Sequence, residues 1–122
     1  EVDVVNGIPI FDIIILGIGD DGHTASIFPY EIELWDSNDN CVVATHPDTG
    51  QKRVSLTGKV INAAHNIAFL VTGTSKSHKI REIIEQPETS EKKYPAALVQ
   101  PKSGNLFWYL DENAAGELSK NS

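Results

Sequence analysis

One histidine in this chain stands where chemistry could happen. His23 follows Gly17-Ile-Gly-Asp-Asp-Gly22, so an imidazole lies beside two carboxylates, Asp20 and Asp21, in a segment broken by glycines. Imidazole titrates near neutrality and is the natural general base at physiological pH, and such proton transfer accelerates a reaction about 10²–10⁴-fold. A histidine that only stabilises the turn is the other reading of the same residues. A second polar segment, Thr72-Gly73-Thr74-Ser75-Lys76, places small hydroxyls and a lysine at the start of an amphipathic stretch. Free N–H groups at a helix start, with Thr74 and Lys76 beside them, suit a phosphate. An ordinary capped helix with a solvated lysine satisfies that pattern too.

The elements that must position these groups are legible around them. Ile13 to Leu16 is an unbroken branched aliphatic run, which predicts a strand covered on both faces, as in a parallel α/β sheet. Gly17, Gly19 and Gly22 then predict a tight turn at the strand's carboxyl end, where open α/β sheets bind ligands. Residues 23–28 can begin a helix capped by Asp21 and stopped by Pro29. Glycines 17, 19 and 22 also spell the dinucleotide pattern Gly-x-Gly-x-x-Gly. That pattern needs a long helix and an acidic strand end about 20 residues on. Pro29 cuts the helix short, and Asp36 and Asp39 fall in a polar loop.

Further along, residues 1–10 read as a lead-in with a turn, and 30–40 as a surface excursion whose Trp35 packs onto the body. Cys41–Thr45 reads as a strand, and 46–50 as a turn placing His46 in an exposed loop. Residues 53–57 read as a strand, Thr57 as the cap of a helix bearing Val60, Ile61 and Ala64, and 66–72 as a second buried strand. Together these form a predicted βαβ unit. A helix follows over 77–86 with Ile80, Ile83 and Ile84 on one face. Then come a charged loop over 87–93, a short ordered piece over 94–101, a last strand over 106–110 with Trp108 in the core, a small helix over 113–118, and a frayed tail over 120–122.

Composition bounds the function. At 122 residues the chain supports one modest core, and a net charge of −7 argues against nucleic acid, whose phosphates demand a basic face. No apolar run approaches the roughly 20 residues of a membrane span. Cys41, the only cysteine, permits no intrachain disulfide and reads as a small buried hydrophobe, so a cytoplasmic setting is the default. Histidines 23, 46, 65 and 78 lack metal-ligand spacing, so no metal is expected, and His65 and His78 read as structural. No Gly-x-Ser-x-Gly elbow occurs.

The stretch Gly17-Ile-Gly-Asp-Asp-Gly-His-Thr-Ala-Ser-Ile-Phe-Pro29 closely resembles the signature of the 6-phosphogluconolactonase family. Arg53-Val-Ser-Leu-Thr57, Thr72-Gly73-x-x-Lys76, Tyr94-Pro95 and Trp108-Tyr-Leu-Asp111 follow in that family's order. The resemblance covers essentially the whole chain but only about the C-terminal half of the family's domain. It implies a Rossmann-like three-layer α/β sandwich with a mostly parallel sheet and helices on both faces, of which residues 1–122 are one partial domain. It also implies hydrolysis of 6-phosphogluconolactone to 6-phosphogluconate without metal or organic cofactor. Carried over, His23 is the base that activates water and Asp21 the carboxylate that orients it. Arg53 and Lys76 become phosphate ligands, with Gly19, Gly22 and Thr74 in the binding turns; Arg53 as a salt-bridge partner is the alternative. Glucosamine-6-phosphate deaminases share the Gly-x-Gly-x-x-Gly-His turn but continue Ile-Ala-Phe-Asn-Glu-Pro, whereas this chain has Thr24-Ala25-Ser26-Ile27-Phe28-Pro29. A noncatalytic interaction module is the reading from another class. A sheet lacking its neighbours would expose apolar surface, so weak turnover alone and self-association are expected.

Overall fold

The three longest apolar runs become three parallel strands. In the computed structural model, which describes residues 3–118, β3 (Ile14–Leu16), β6 (Ile67–Val71) and β7 (Leu106–Leu110) form one sheet in the order β3-β6-β7. Leu16 lies opposite Phe69, and Phe69 opposite Trp108. Trp108 stacks on Phe69 with ring centroids 4.2 Å apart, as expected for its core position. Side chains alternate across a strand, so Ile14, Leu16, Ile67, Phe69 and Val71 share one face. That face is packed by Ile61 and by Ile80 and Ile83 of the helix α2 (Ser77–Glu85), with Ala96 and Ala97 behind them.

The opposite face overturns part of the expectation. Ile13 is 54% exposed, Ile15 61%, Leu70 54%, Phe107 45% and Tyr109 58%. The apolar runs are those of a sheet covered twice, but among the described residues only one face carries a layer.

Two antiparallel ribbons flank the sheet. β1 (Asp3–Val5) and β2 (Ile8–Ile10) form a hairpin around Asn6 and Gly7, both with positive φ, as a tight two-residue turn requires. β4 (Cys41–Thr45) and β5 (Lys52–Leu56) pair with each other through the turn over 46–50. The predicted βαβ unit starting at Arg53 is therefore wrong, because β5 takes its sequence neighbour β4 and never joins β6. The parallel crossover of that kind is β6-α2-β7.

Other expectations need correction. Residues 23–28 form no helix; a turn closes with Ile27 N–H donating to Thr24 O at 3.0 Å, and Ala25 takes φ 52. Pro29 begins an element instead of ending one, a 3-10 segment Pro29–Asp36 kinked at Glu31, with Trp35 buried as expected. Proline's fixed φ suits a first helical position, where its missing N–H costs nothing. The helix after Thr57 is one turn, α1 (Gly58–Ile61), and the Thr57 hydroxyl donates to Asp39 O at 2.7 Å instead of capping it. Within the charged 87–93 loop lies a single helical turn, α3 (Pro87–Ser90), while residues 113–118 are turns. Cys41 is exposed, on the outward row of β4 with Val43. The expected tail over 120–122 lies outside the described residues. No helix among the described residues is long and apolar enough to cross a membrane.

Candidate active site

The turn after β3 builds a histidine–carboxylate pair from residues two apart. Asp21 Oδ1 lies 2.6 Å from His23 Nδ1 and accepts the His23 backbone N–H at 3.0 Å, so one oxygen fixes both the main chain and the ring. An ionised carboxylate only accepts, so Nδ1 carries a proton and Nε2 keeps its lone pair. The ring is 28% exposed. It lies against the buried Phe28, centroids 4.4 Å apart.

Local sequence explains the turn's shape. Gly22 N–H donates to Gly19 O and Gly19 N–H to His23 O, both at 2.9 Å, and the buried Thr24 hydroxyl reaches back to Gly17 O at 2.8 Å. A Cβ at Gly19 would run into the His23 imidazole. Gly22 has φ 88, and a Cβ there would meet the Tyr94 ring at 2.5 Å. Both glycines serve the imidazole's placement.

The turn after β6 comes to the same place. Thr74–Lys76 form a 3-10 turn that runs into α2, and the Ser77 hydroxyl donates to Thr74 O at 2.8 Å. Ser75 Oγ donates to Asp20 Oδ1 at 3.1 Å, joining this turn to the one that holds His23. Lys76 is half-buried. Arg53 approaches from β5, where Ser55 Oγ accepts the Ser26 N–H at 3.1 Å and so ties the strand to the His23 loop. Residues 53 and 55 share a strand face. Arg53 Nε donates to Gln51 Oε1 at 3.1 Å. Among the described residues no carboxylate is seen within ion-pair distance of Arg53, so the salt-bridge alternative finds no partner there.

Other residues pack around the site whose contacts no local sequence pattern gives. Tyr94 floors the first turn, with Ala96 N–H donating to Gly22 O at 3.1 Å. Glu82 hydrogen-bonds the Tyr94 hydroxyl, which holds the Glu82 carboxyl below its ordinary range, while burial and that bond push the Tyr94 phenol up. His46, expected in an exposed loop, is half-buried against the far side of Phe28 with centroids 5.2 Å apart. Its Nδ1 accepts the N–H groups of Asp48 and Thr49, at 3.1 and 3.3 Å. His65 is exposed, and His78 on α2 pairs with Glu82 at 2.7 Å and Glu117 at 3.4 Å, as expected of structural histidines.

A parallel α/β sheet with an oriented imidazole and two small-residue turns tied together at its strand ends defines an α/β protein of the open-sheet class, in which ligands bind at that end. The dinucleotide alternative lacks its helix. Residues 2–108 match the family model for glucosamine-6-phosphate isomerases/6-phosphogluconolactonase, and the chain belongs to that family. A 6-phosphogluconolactonase of Treponema pallidum is 62% identical over 84 residues, covering 69% of this chain and 35% of that protein. One from Homo sapiens is 44% identical over 112 residues, covering 90% and 42%. Among solved structures, devB protein superposes with a TM-score of 0.83 at 45% identity over 97% of this chain and 49% of that one. The 6-phosphogluconolactonase of Trypanosoma brucei gives 0.78 at 33% identity over 91% and 43%. These likenesses agree with the expected Rossmann-like fold, and the chain spans half or less of each of these relatives. A monomeric glucosamine-6-phosphate deaminase at 22% identity and TM-score 0.64 shares the fold.

Proposed function

We propose that this chain supplies the histidine-bearing half of a 6-phosphogluconolactonase site. The carrying observation is the Asp21–His23 pair at 2.6 Å, which leaves Nε2 available as a base on a turn tied through Ser75–Asp20 to the one that carries Lys76. Nε2 takes a proton from water, whose oxygen attacks the lactone carbonyl carbon. The ring C–O bond then breaks, and the proton passes to the departing ring oxygen, giving 6-phosphogluconate. Asp21 holds the ring in the required tautomer and stabilises the imidazolium while it lasts. Lys76, Thr74 and Arg53 bind the phosphate, and this remote contact supplies binding energy that positions the reacting carbonyl. Gly19 and Gly22 let the turn approach the substrate. Its phosphorylated substrate places the reaction in the cytoplasm.

The bare sheet face belongs to the same reading. Ile15, Leu70, Phe107 and Tyr109 form the apolar surface on which the remaining half of the domain packs, and a chain without that half self-associates there. The test is hydrolysis of 6-phosphogluconolactone by the full-length protein and by the His23→Ala variant, with glucosamine 6-phosphate as the competing substrate. Turnover of the lactone that depends on His23 is expected. Release of ammonia from the amino sugar, with no acceleration of lactone hydrolysis, would overturn the reading.

A further inference from the structure

We propose that Asp111 is a positioning residue of this site, which fixes the turn carrying Lys76 and so sets where the anionic group is held relative to His23. This rests on the reading of Lys76 as a phosphate ligand. Asp111 directly follows β7, and its backbone N–H donates to Val71 O, the last residue of β6, at 3.3 Å. Its side chain then reaches one step further along the same neighbour. Both carboxylate oxygens lie 3.2 Å from the Gly73 N–H. Oδ1 also accepts the Ala114 N–H at 2.7 Å, which anchors the carboxylate from its own side of the sheet.

Gly73 is where such a hold matters. It has φ 97 and nothing within 4 Å of where a Cβ would sit, so no side-chain packing surrounds it, and its carbonyl accepts only a long bond from Lys76 N–H, at 3.5 Å. It is the last hinge before Thr74–Lys76. Ser75 is tied on the other side to Asp20. With both ties, the turn hangs between the end of β7 and the His23 turn. Without Asp111, the Gly73 N–H loses its partner, and the turn keeps the Ser75–Asp20 bond and the Ser77 hydroxyl on Thr74 O. The negative charge of Asp111 is directed at backbone N–H groups, which keeps an acidic residue compatible with an anion site nearby.

Two variants of the full-length protein separate positioning from mere folding. Asp111→Asn keeps an oxygen acceptor at Oδ1, and Asp111→Ala removes it. We expect the alanine variant to raise KM for the phosphorylated lactone about tenfold with kcat changed less than about twofold, and the asparagine variant to stay near the parent. Hydrogen exchange should quicken at residues 73–76 in the alanine variant and not at 17–23. An unchanged KM in Asp111→Ala overturns the proposal. So does a fall in kcat at constant KM, or an asparagine variant as impaired as alanine. If the parent protein does not hydrolyse the lactone, the functional reading fails by itself and exchange decides the hold. Faster exchange at 73–76 in Asp111→Ala upholds it, and unchanged exchange overturns it.

Discussion

The turn after β3 and the turn after β6 meet at one end of the sheet, joined by the Ser75–Asp20 bond, yet they are secured differently. The first is closed largely by its own residues, with Ala96 N–H added from outside on Gly22 O. Gly19, Gly22, His23 and Thr24 bond among themselves or back to Gly17, and Asp21 grips its neighbour's ring. The second begins at a glycine with no side chain packed around it and is held by carboxylates from outside, Asp111 and Asp20. Proton transfer tolerates little misplacement, which suits a proposed base in the turn that closes on itself. A charged contact to a phosphate acts over a longer reach, and a turn tied from outside is enough for it.

If that contrast is right, the two turns should fail in different kinetic constants. His23→Ala in the full-length protein should cost about 10²–10⁴ in kcat, read from steady-state lactone hydrolysis. Lys76→Ala should raise KM about 10- to 100-fold with kcat nearly intact, the value of a charge-assisted hydrogen bond. A Lys76 variant that lost kcat alone would erase the distinction. Gly22→Ala should destabilise the fold by about 1–3 kcal/mol in urea titrations, through its positive φ and the collision with Tyr94. Gly73→Ala carries positive-φ strain too but meets nothing, so it should cost less by the share due to the collision. Equal costs would mean that the two turns are packed alike.

The smallest effect is one of pH. Glu82 is held below its ordinary value of 4.5 chiefly by the Tyr94 hydroxyl, so its contribution is present above that value and lost as pH falls through the lowered one. Tyr94 is raised above 10.0 chiefly by burial, so its contribution is complete below pH 10.0 and lost as pH climbs through the raised value. Since Tyr94 floors the first turn, Tyr94→Phe should flatten both limbs of the thermal midpoint against pH. An unchanged profile would show that the pair does not couple to folding.

Much of this was readable in the residues. β3, β6 and β7 followed from their apolar runs, α2 from its isoleucines, and the His23 turn from its glycines. Partner choice was not readable, because β5 has the composition of a strand whichever sheet it joins, and the nearer partner across a short turn prevailed. Residues 23–28 could be helical by propensity. Burial of both Ile27 and Phe28, the Thr24–Gly17 bond and the extended backbone that Pro29 imposes on Phe28 outweighed it. Within the site, the Asp21–His23 contact awaited the geometry of Gly22. Tyr94 and Asp111 are distant in sequence, and their contacts depend on the sheet that brings them back.

The strand order β3-β6-β7 has a consequence for assembly. Among the described residues β3 has a neighbour on one side only. The strand that delivers His23 is thus a lateral template, with backbone donors and acceptors available for β-augmentation, in which main-chain bonds supply affinity and alternate side chains supply register. Slipping an incoming strand by one residue would turn all its side chains to the wrong face. A strand in that lane would therefore be fixed in register beside the strand from which the His23 turn departs.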